Sequence, residues 1–167
     1  MRRHLCGIWT AWSEAASPDA AVGEVARAIG TPSLSQVVAF FSADYDPEIL
    51  AAALEARFPG VPVAGCSMSG GIAPSGGLDR GLVVIAFPAE RFRIVSTVLA
   101  AIDQLDVERT ASSVRALRRT LDPPGACREA EAPAAGGRFA LSLIDGLANA
   151  EETVVSAIAW ALDGIPI

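Results

Sequence analysis

Apolar positions along this chain follow two different periods, and the alternation between them predicts its secondary structure. Three largely apolar runs are typical of strands covered on both faces, at residues 36–42, where Gln36 and Ser42 are the polar ends, and at residues 61–64 and 81–87. Elsewhere apolar residues return every three or four positions, which predicts amphipathic helices. These helices are expected to begin at capping residues, namely Ser17 before Pro18, Asp46 before Pro47, and Asp106.

The order of these elements predicts an α/β fold in a single domain over residues 1–167. Strand, helix and strand follow one another from residue 36 to 64, and such a βαβ unit places its two strands parallel. A short turn after residue 87 predicts one antiparallel hairpin at about residues 81–100. We therefore expect a mixed, largely parallel sheet of repeated βα units. Further strands are expected at residues 5–12 and 138–144.

The last part of the chain repeats an earlier part. Gly60-Val61-Pro62-Val63 aligns with Gly164-Ile165-Pro166-Ile167 at an offset of 104 positions. With the same offset, Leu50 matches Val154 and Leu54 matches Ile158 on the preceding helices. The helix of the second copy is expected to begin near Asn149, with Glu152 completing a capping box. Since the first copy continues into a glycine-rich stretch, we expect a fragment of a longer protein, which the position of the stop codon would test.

Between the third helix and the last repeat, residues 122–137 have the composition of a flexible loop. They contain three prolines and three glycines and almost no large apolar side chain.

Composition and charge exclude several classes of function. The 167 residues are 51% apolar with a net charge of −6, so nucleic acid is not an expected partner. The absence of lysine excludes a Walker-A phosphate loop and a Schiff-base mechanism. Cys6, Cys66 and Cys127 have neither zinc-site nor disulfide spacing, which favours a reducing, cytoplasmic location. No stretch is long and apolar enough for a membrane span.

The stretch that follows the strand at residues 61–64 is the candidate binding site. It is rich in glycine and serine, and successive backbone amides in such a loop can form a nest for an anionic or polar ligand. The candidate residues are Gly65, Cys66, Ser67, Met68, Ser69, Gly70 and Gly71. Asp44 and Asp145 follow strand ends and are expected to line the same crevice.

Two other functions stay open at this stage. Cys66 is a candidate nucleophile for a hydrolase or transferase, but the sequence places no base beside it, since His4 is the single histidine. The stretch also misses the last glycine of a Gly-x-Ser-x-Gly elbow. Alternatively, the glycines serve only a turn, and the domain is a scaffold without a ligand.

The same residues carry a resemblance to a known family. The segments Phe41-Ser42-Ala43-Asp44-Tyr45-Asp46, Phe58-Pro59-Gly60-Val61-Pro62-Val63 and Gly65-Cys66-Ser67-Met68-Ser69-Gly70-Gly71-Ile72, followed by an apolar strand from Gly81, resemble the N-terminal half of a FIST domain. In that family the glycine loop typically reads Gly-Cys-Ser-x-x-Gly-Glu-Ile. The likeness extends from about Gly7 to Ile167.

The resemblance implies an intracellular sensory domain that binds small ligands, amino acids among them, and signals to downstream partners. Gly71 stands where the family commonly has an acid, which removes one contact to a ligand amine. The later Ile-Pro-x-x-Gly-Gly segment of the family does not occur in this chain. Some FIST proteins are haem-based sensors, but His4 near the N-terminus does not favour an axial ligand, so we expect no cofactor here.

Overall fold

The structure, a computed structural model, describes residues 1–102, 106–121 and 137–167. These residues form two compact units, Met1–Ile94 and Val95–Ile167. That the chain is a single domain stays a prediction. Apart from Gly137, the predicted loop at residues 122–137 lies outside the described residues, as does its Cys127.

The first unit is built on a five-stranded sheet with the strand order β1-β2-β7-β3-β4, and β5 and β6 form a separate two-stranded hairpin. Its strands are β1 (Arg2–Arg3), β2 (Trp9–Ser13), β3 (Leu34–Ser42), β4 (Val63–Met68), β5 (Gly71–Ala73), β6 (Gly76–Leu78) and β7 (Leu82–Pro88). Two helices belong to the same unit, α1 (Pro18–Ile29) and α2 (Pro47–Arg57).

The predicted α/β class with a mixed sheet is confirmed, but the sheet is not largely parallel. Only β3 and β4 pair in parallel, while β7 pairs antiparallel with both β2 and β3. The chain returns from β4 to β7 through the β5–β6 hairpin and not through a helix, so β7 enters the sheet in the opposite direction. The expected hairpin over residues 81–100 is wrong for a related reason. Both edges of β7 are occupied, and residues 92–100 form no strand.

Helices α1 and α2 begin where the sequence predicts and cover one face of the sheet. The Ser17 hydroxyl accepts a hydrogen bond from the Ala20 amide, and the Asp46 carboxylate accepts from the amides of Glu48 and Ile49. Both helices have proline in the first turn, where its missing N–H costs nothing. Their apolar stripes pack on the sheet in one core, which includes Val22, Val25, Val37, Ala39, Leu50, Leu54 and Val84.

The β5–β6 hairpin packs against the opposite face of the sheet. Ala73 and Leu78 of the hairpin are buried against Val83, and Phe40 and Met68 are half-buried beside them. The hairpin therefore covers the end of the sheet at which β4 finishes.

The second unit contains α3 (Val107–Leu121) and α4 (Glu151–Leu162), packed through a small apolar core. The Asp106 carboxylate caps α3, as predicted, by accepting from the amides of Glu108 and Arg109. The predicted capping box at Asn149 is wrong, because α4 begins at Glu151 and its N-cap, Ala150, has no side chain to accept a hydrogen bond. Asn149 instead has a positive φ of 50°.

The predicted strand at residues 138–144 is wrong, because these residues have no regular secondary structure. The amide of Ala140 donates to the carbonyl of Pro166 at 2.8 Å. A strand needs a continuing ladder with a neighbour, and this contact does not continue into one among the described residues.

Candidate functional site

The glycine-rich stretch is not the loop that the sequence predicts. Strand β4 continues to Met68, so Gly65, Cys66, Ser67 and Met68 are in a strand; Ser69 and Gly70 form the bend, and Gly71 begins β5. Nor is β4 buried on both faces, because it is the last strand of the sheet and its residues alternate between exposed and half-buried. The glycine at position 65 has a packing reason, since a Cβ there would overlap the backbone carbonyl of Ala39.

The backbone N–H and C=O groups of β4 point alternately toward β3 and away from it. The amide of Val37 donates to the carbonyl of Pro62 at 2.9 Å, and Val37 is in register with Val63. In a parallel ladder the bonding residues alternate, so Ala64, Cys66 and Met68 turn their amides toward β3. The amides of Val63, Gly65 and Ser67 point away from β3. Successive donors over residues 65–68 therefore diverge and form no nest there, while ligand binding by the amides of Ser67 to Gly71 stays a prediction.

The side chains of β4 also separate onto two faces. Cys66 is in register with Phe40 and shares its face of the sheet, where the free thiol is half-buried. Met68 lies on that face as well, and a Cβ added to Gly71 would meet the Met68 Sδ at 2.9 Å. Val63, Gly65 and Ser67 lie on the α2 face of the sheet. The candidate residues therefore do not converge on one point.

Asp44 and Asp145 both occupy turns. Asp44 is exposed, its amide donates to the Ser42 hydroxyl at 3.3 Å, and its carboxylate lies 4.0 Å from the Arg80 guanidinium. Asp145 belongs to the second unit, where its carboxylate accepts from the Leu147 amide at 3.0 Å. Contact of either residue with a ligand stays a prediction.

Tyr45 fixes the connection between β3 and α2. It is 4% exposed, and its hydroxyl donates to the carbonyl of Ala15. Burial raises the pKa of Tyr45 above the ordinary value of 10.0, the Arg80 charge opposes this shift, and the Glu24 charge adds to it. A neutral, hydrogen-bonded tyrosine therefore holds the start of α2 beside the sheet.

A groove of about 590 Å³ opens between α2 and β4. Its wall on the helix side is formed by residues three or four positions apart: Pro47, Leu50, Ala51, Leu54 and Glu55. Its wall on the sheet side is formed by Ala39, Phe41, and the consecutive residues Gly60, Val61, Pro62, Val63, Ala64 and Gly65. Gly65 is the one residue that the predicted site and the groove share.

Sequence reasoning did not predict the helical wall of this groove, although a signal for it existed. Residues 51–53 of α2 are three consecutive alanines. The strand that follows this helix in the βαβ unit, β4, contains Gly65. Small side chains on both sides leave space that larger residues would fill.

The groove has the chemistry of a binding surface. Its lining is mainly aliphatic and aromatic, Glu55 adds a carboxylate, and the adjoining backbone of β4 offers hydrogen-bonding groups at Val63 and Gly65. Such an arrangement takes up an extended or amphipathic ligand and fixes its orientation through a few polar contacts.

His4, the single histidine of the sequence, follows β1, and the absence of a haem cofactor stays a prediction. Its Nε2 lies 3.0 Å from the hydroxyl of Thr10 in β2, and His4 is not part of the groove wall. Within the described residues, no group of three or more His, Cys, Asp or Glu side chains is arranged to hold a metal ion.

The first unit is thus an α/β unit with an open, mainly apolar groove beside an edge strand. The family model of the FIST N domain matches residues 35–167, which is most of the chain. The chain therefore belongs to the FIST family, whose members are sensory domains of signal transduction. Comparison with curated proteins and with solved structures gave no match. None of the helices in the described ranges has the length and apolar character of a membrane span.

Proposed function

We propose that this chain is a sensory domain whose ligand occupies the groove between α2 and β4. The observation that carries the proposal is the groove itself, about 590 Å³ of open volume with an apolar floor, one carboxylate and adjoining backbone donors. A volume of this order is typical of small-molecule sites.

The groove favours an amino-acid-like ligand with an apolar side chain. Phe41, Leu50 and Leu54 would contact the apolar part, and Glu55 would attract an ammonium group. The outward amide of Gly65 would donate to a carboxylate or carbonyl. This assignment keeps the expected class of ligand but moves its site from the bend to the groove, and an anion alone would find no cation among the lining residues.

Signal relay would follow from differential affinity. A ligand shifts an equilibrium only by preferring one of two states. In this domain β4 connects through the bend at Ser69 and Gly70 to the β5–β6 hairpin, so a ligand beside β4 would favour one position of that hairpin. The downstream signalling partner would respond to this difference.

A panel of amino acids, small carboxylates and extended peptides, screened by thermal shift and then by calorimetry, tests the proposal. At a hundredfold excess over the dissociation constant, a ligand of the folded state stabilises it by about 2.7 kcal/mol. Ala51→Phe would fill the groove and abolish binding. Ala52→Phe is the matched control, because Ala52 is exposed on the same helix but does not line the groove.

Equal binding by both variants would place the ligand elsewhere and contradict the proposal. Failure of every compound, including extended peptides, to bind the wild-type protein would favour the scaffold without a ligand.

A further inference from the structure

The two edges of the five-stranded sheet are protected very differently. At one edge, β1 is two residues long and consists of Arg2 and Arg3, so its length and charge discourage pairing with another chain. At the other edge, β4 reads Val-Ala-Gly-Cys-Ser-Met and contains neither a charge nor a proline. Natural proteins usually protect an edge strand of this length, so an unprotected one indicates a pairing surface.

The open edge and the groove run together. Six consecutive residues, 60–65, line the groove on the sheet side, and positions 47, 50, 51, 54 and 55 form one stripe along α2. The groove thus follows the strand for several residues. The outward backbone groups of Val63, Gly65 and Ser67 lie along the same edge.

This combination matches one mode of peptide recognition. An extended peptide added to a sheet edge gains main-chain hydrogen bonds from the strand and inserts every second side chain into a neighbouring groove. A free amino acid could pair with the edge over one residue only, and it would leave the rest of the groove unfilled.

The charge of the groove indicates which peptide would fit. Glu55 is exposed on the helical wall, and the chain has a net charge of −6, so a basic side chain is attracted to this wall and an acidic one is repelled. The remaining lining, including Phe41, Leu50 and Val63, favours apolar side chains at the other inward positions.

We infer that the ligand of the groove is an extended peptide that adds to β4 as a sixth strand, with apolar side chains at alternate positions and an Arg or Lys beside Glu55. This inference rests on the proposed function, because it places a particular ligand class in the same groove. Unlike the proposed function, the inference requires that the main chain of the peptide pairs with Val63, Gly65 and Ser67.

An array of acetylated heptapeptides tests the inference. Positions 1, 3, 5 and 7 are threonine, while positions 2, 4 and 6 vary among Val, Leu, Phe, Arg, Lys and Glu. We expect binding by peptides that combine two apolar residues with one Arg or Lys, and weaker binding, by about tenfold or more, when Glu replaces the basic residue.

Two variants of the tightest peptide separate backbone pairing from side-chain binding. N-methylation of the amides that face β4 should weaken binding by at least about tenfold, whereas N-methylation of the alternate amides should not. In the protein, Glu55→Gln should reduce the preference for Arg over Glu, and Glu14→Gln is the control because Glu14 is exposed outside the groove.

The outcomes distinguish this inference from the proposed function. Binding of free amino acids without any peptide would overturn the inference and leave the proposed function standing. Equal binding of both N-methylated series would also overturn it. Concentration-dependent dimerisation in sedimentation, abolished by Ser67→Pro in β4, would show that a second copy pairs with this edge and would overturn it too.

Discussion

The chain contains two modules that repeat one sequence pattern, residues 34–68 in the first unit and 139–167 in the second, and the turns after their helices are alike. Helix α4 runs one aligned position further than α2, and its C-cap Asp163 is left-handed with a φ of 53°, whereas the C-cap of α2, Phe58, has a φ of −123°. Gly60 and Gly164 both have left-handed backbone conformations, with φ of 74° and 88°. In the first module the amide of Val61 donates to the carbonyl of Phe58 at 3.1 Å, and in the second the amide of Ile165 donates to the carbonyl of Leu162 at 3.4 Å. The sequence repeat is therefore also a repeat of local backbone geometry.

Burial along the two helices matches as well. Leu50 and Val154 are each 2% exposed, and Leu54 and Ile158 are 3% and 8% exposed. Each pair has the offset found in the sequence. The apolar stripe that faces the core is thus equivalent in α2 and α4.

The modules differ in their strands. β3 pairs with β4 on one side and β7 on the other, whereas residues 139–144 form no ladder with any residue that the structure describes. Accordingly, Phe139 and Leu141 are 59% and 58% exposed. A helix therefore depends mainly on residues that are neighbours in sequence, whereas a strand depends on partners far along the chain.

The largest expected effect is loss of a core side chain in either module. Leu54→Ala and Ile158→Ala should each lower the free energy of unfolding by about 2–5 kcal/mol, because each leaves a cavity. Ile49→Ala and Val155→Ala are controls on the same two helices, since these side chains are 49% and 38% exposed. Urea denaturation would measure all four, and a large loss in one module alone would contradict their equivalence.

The next largest loss of stability is expected at the close contact between Gly65 of β4 and Ala39 of β3 in the first module. Gly65→Ala should lower the free energy of unfolding by about 1–3 kcal/mol, because the new Cβ would overlap the Ala39 carbonyl. Gly70→Ala is the control, since its nearest neighbour would be at 3.7 Å, an ordinary contact. If the two variants unfold at the same urea concentration, β4 does not pack against β3 as described.

A third change should cost the same in both modules. Gly60→Ala and Gly164→Ala should each lower the free energy of unfolding by about 1–2 kcal/mol, because alanine is strained at a left-handed position. Gly23→Ala, inside α1 with no atom within 4 Å of the added Cβ, should instead stabilise by about 0.5–1 kcal/mol. Thermal unfolding measured by circular dichroism would show the opposite signs.

The smallest effects come from the helix starts, where the modules differ. Asp46→Ala should cost about 1 kcal/mol because the amides of Glu48 and Ile49 lose their acceptor. Ala150→Ser should gain about 0.5 kcal/mol by giving α4 the capping hydroxyl that it lacks. A loss of stability from Ala150→Ser in chemical denaturation would contradict this reading of the α4 N-terminus.

Features that depend on adjacent residues could be predicted from the sequence. Asp46 and Asp106 cap helices because each carboxylate needs only the amides two and three positions ahead, and the α/β class follows from the succession of periods. The direction of β7 could not be predicted, because it depends on the β5–β6 hairpin replacing a helical crossover. The edge position of β4 likewise depends on the order of the whole sheet.

The candidate site shows the same limit. Gly65 was predicted as part of the site, but in a loop and not in β4. A glycine-rich run has no alternation of apolar and polar residues by which a strand could be distinguished from a bend. The helical wall at Ala51 and Glu55 was missed because the run of alanines at residues 51–53 indicates available space but does not say which of them faces β4.

Residue-resolved amide exchange along β4 would show whether the edge beside the groove is open and whether the ligand covers it. In the free protein, we expect the amides of Ala64, Cys66 and Met68 to exchange at least about tenfold more slowly than those of Val63, Gly65 and Ser67. A bound ligand should then slow exchange at Gly65. Uniform protection of all six amides in the free protein, or ligand binding that leaves Gly65 unchanged, would contradict the account.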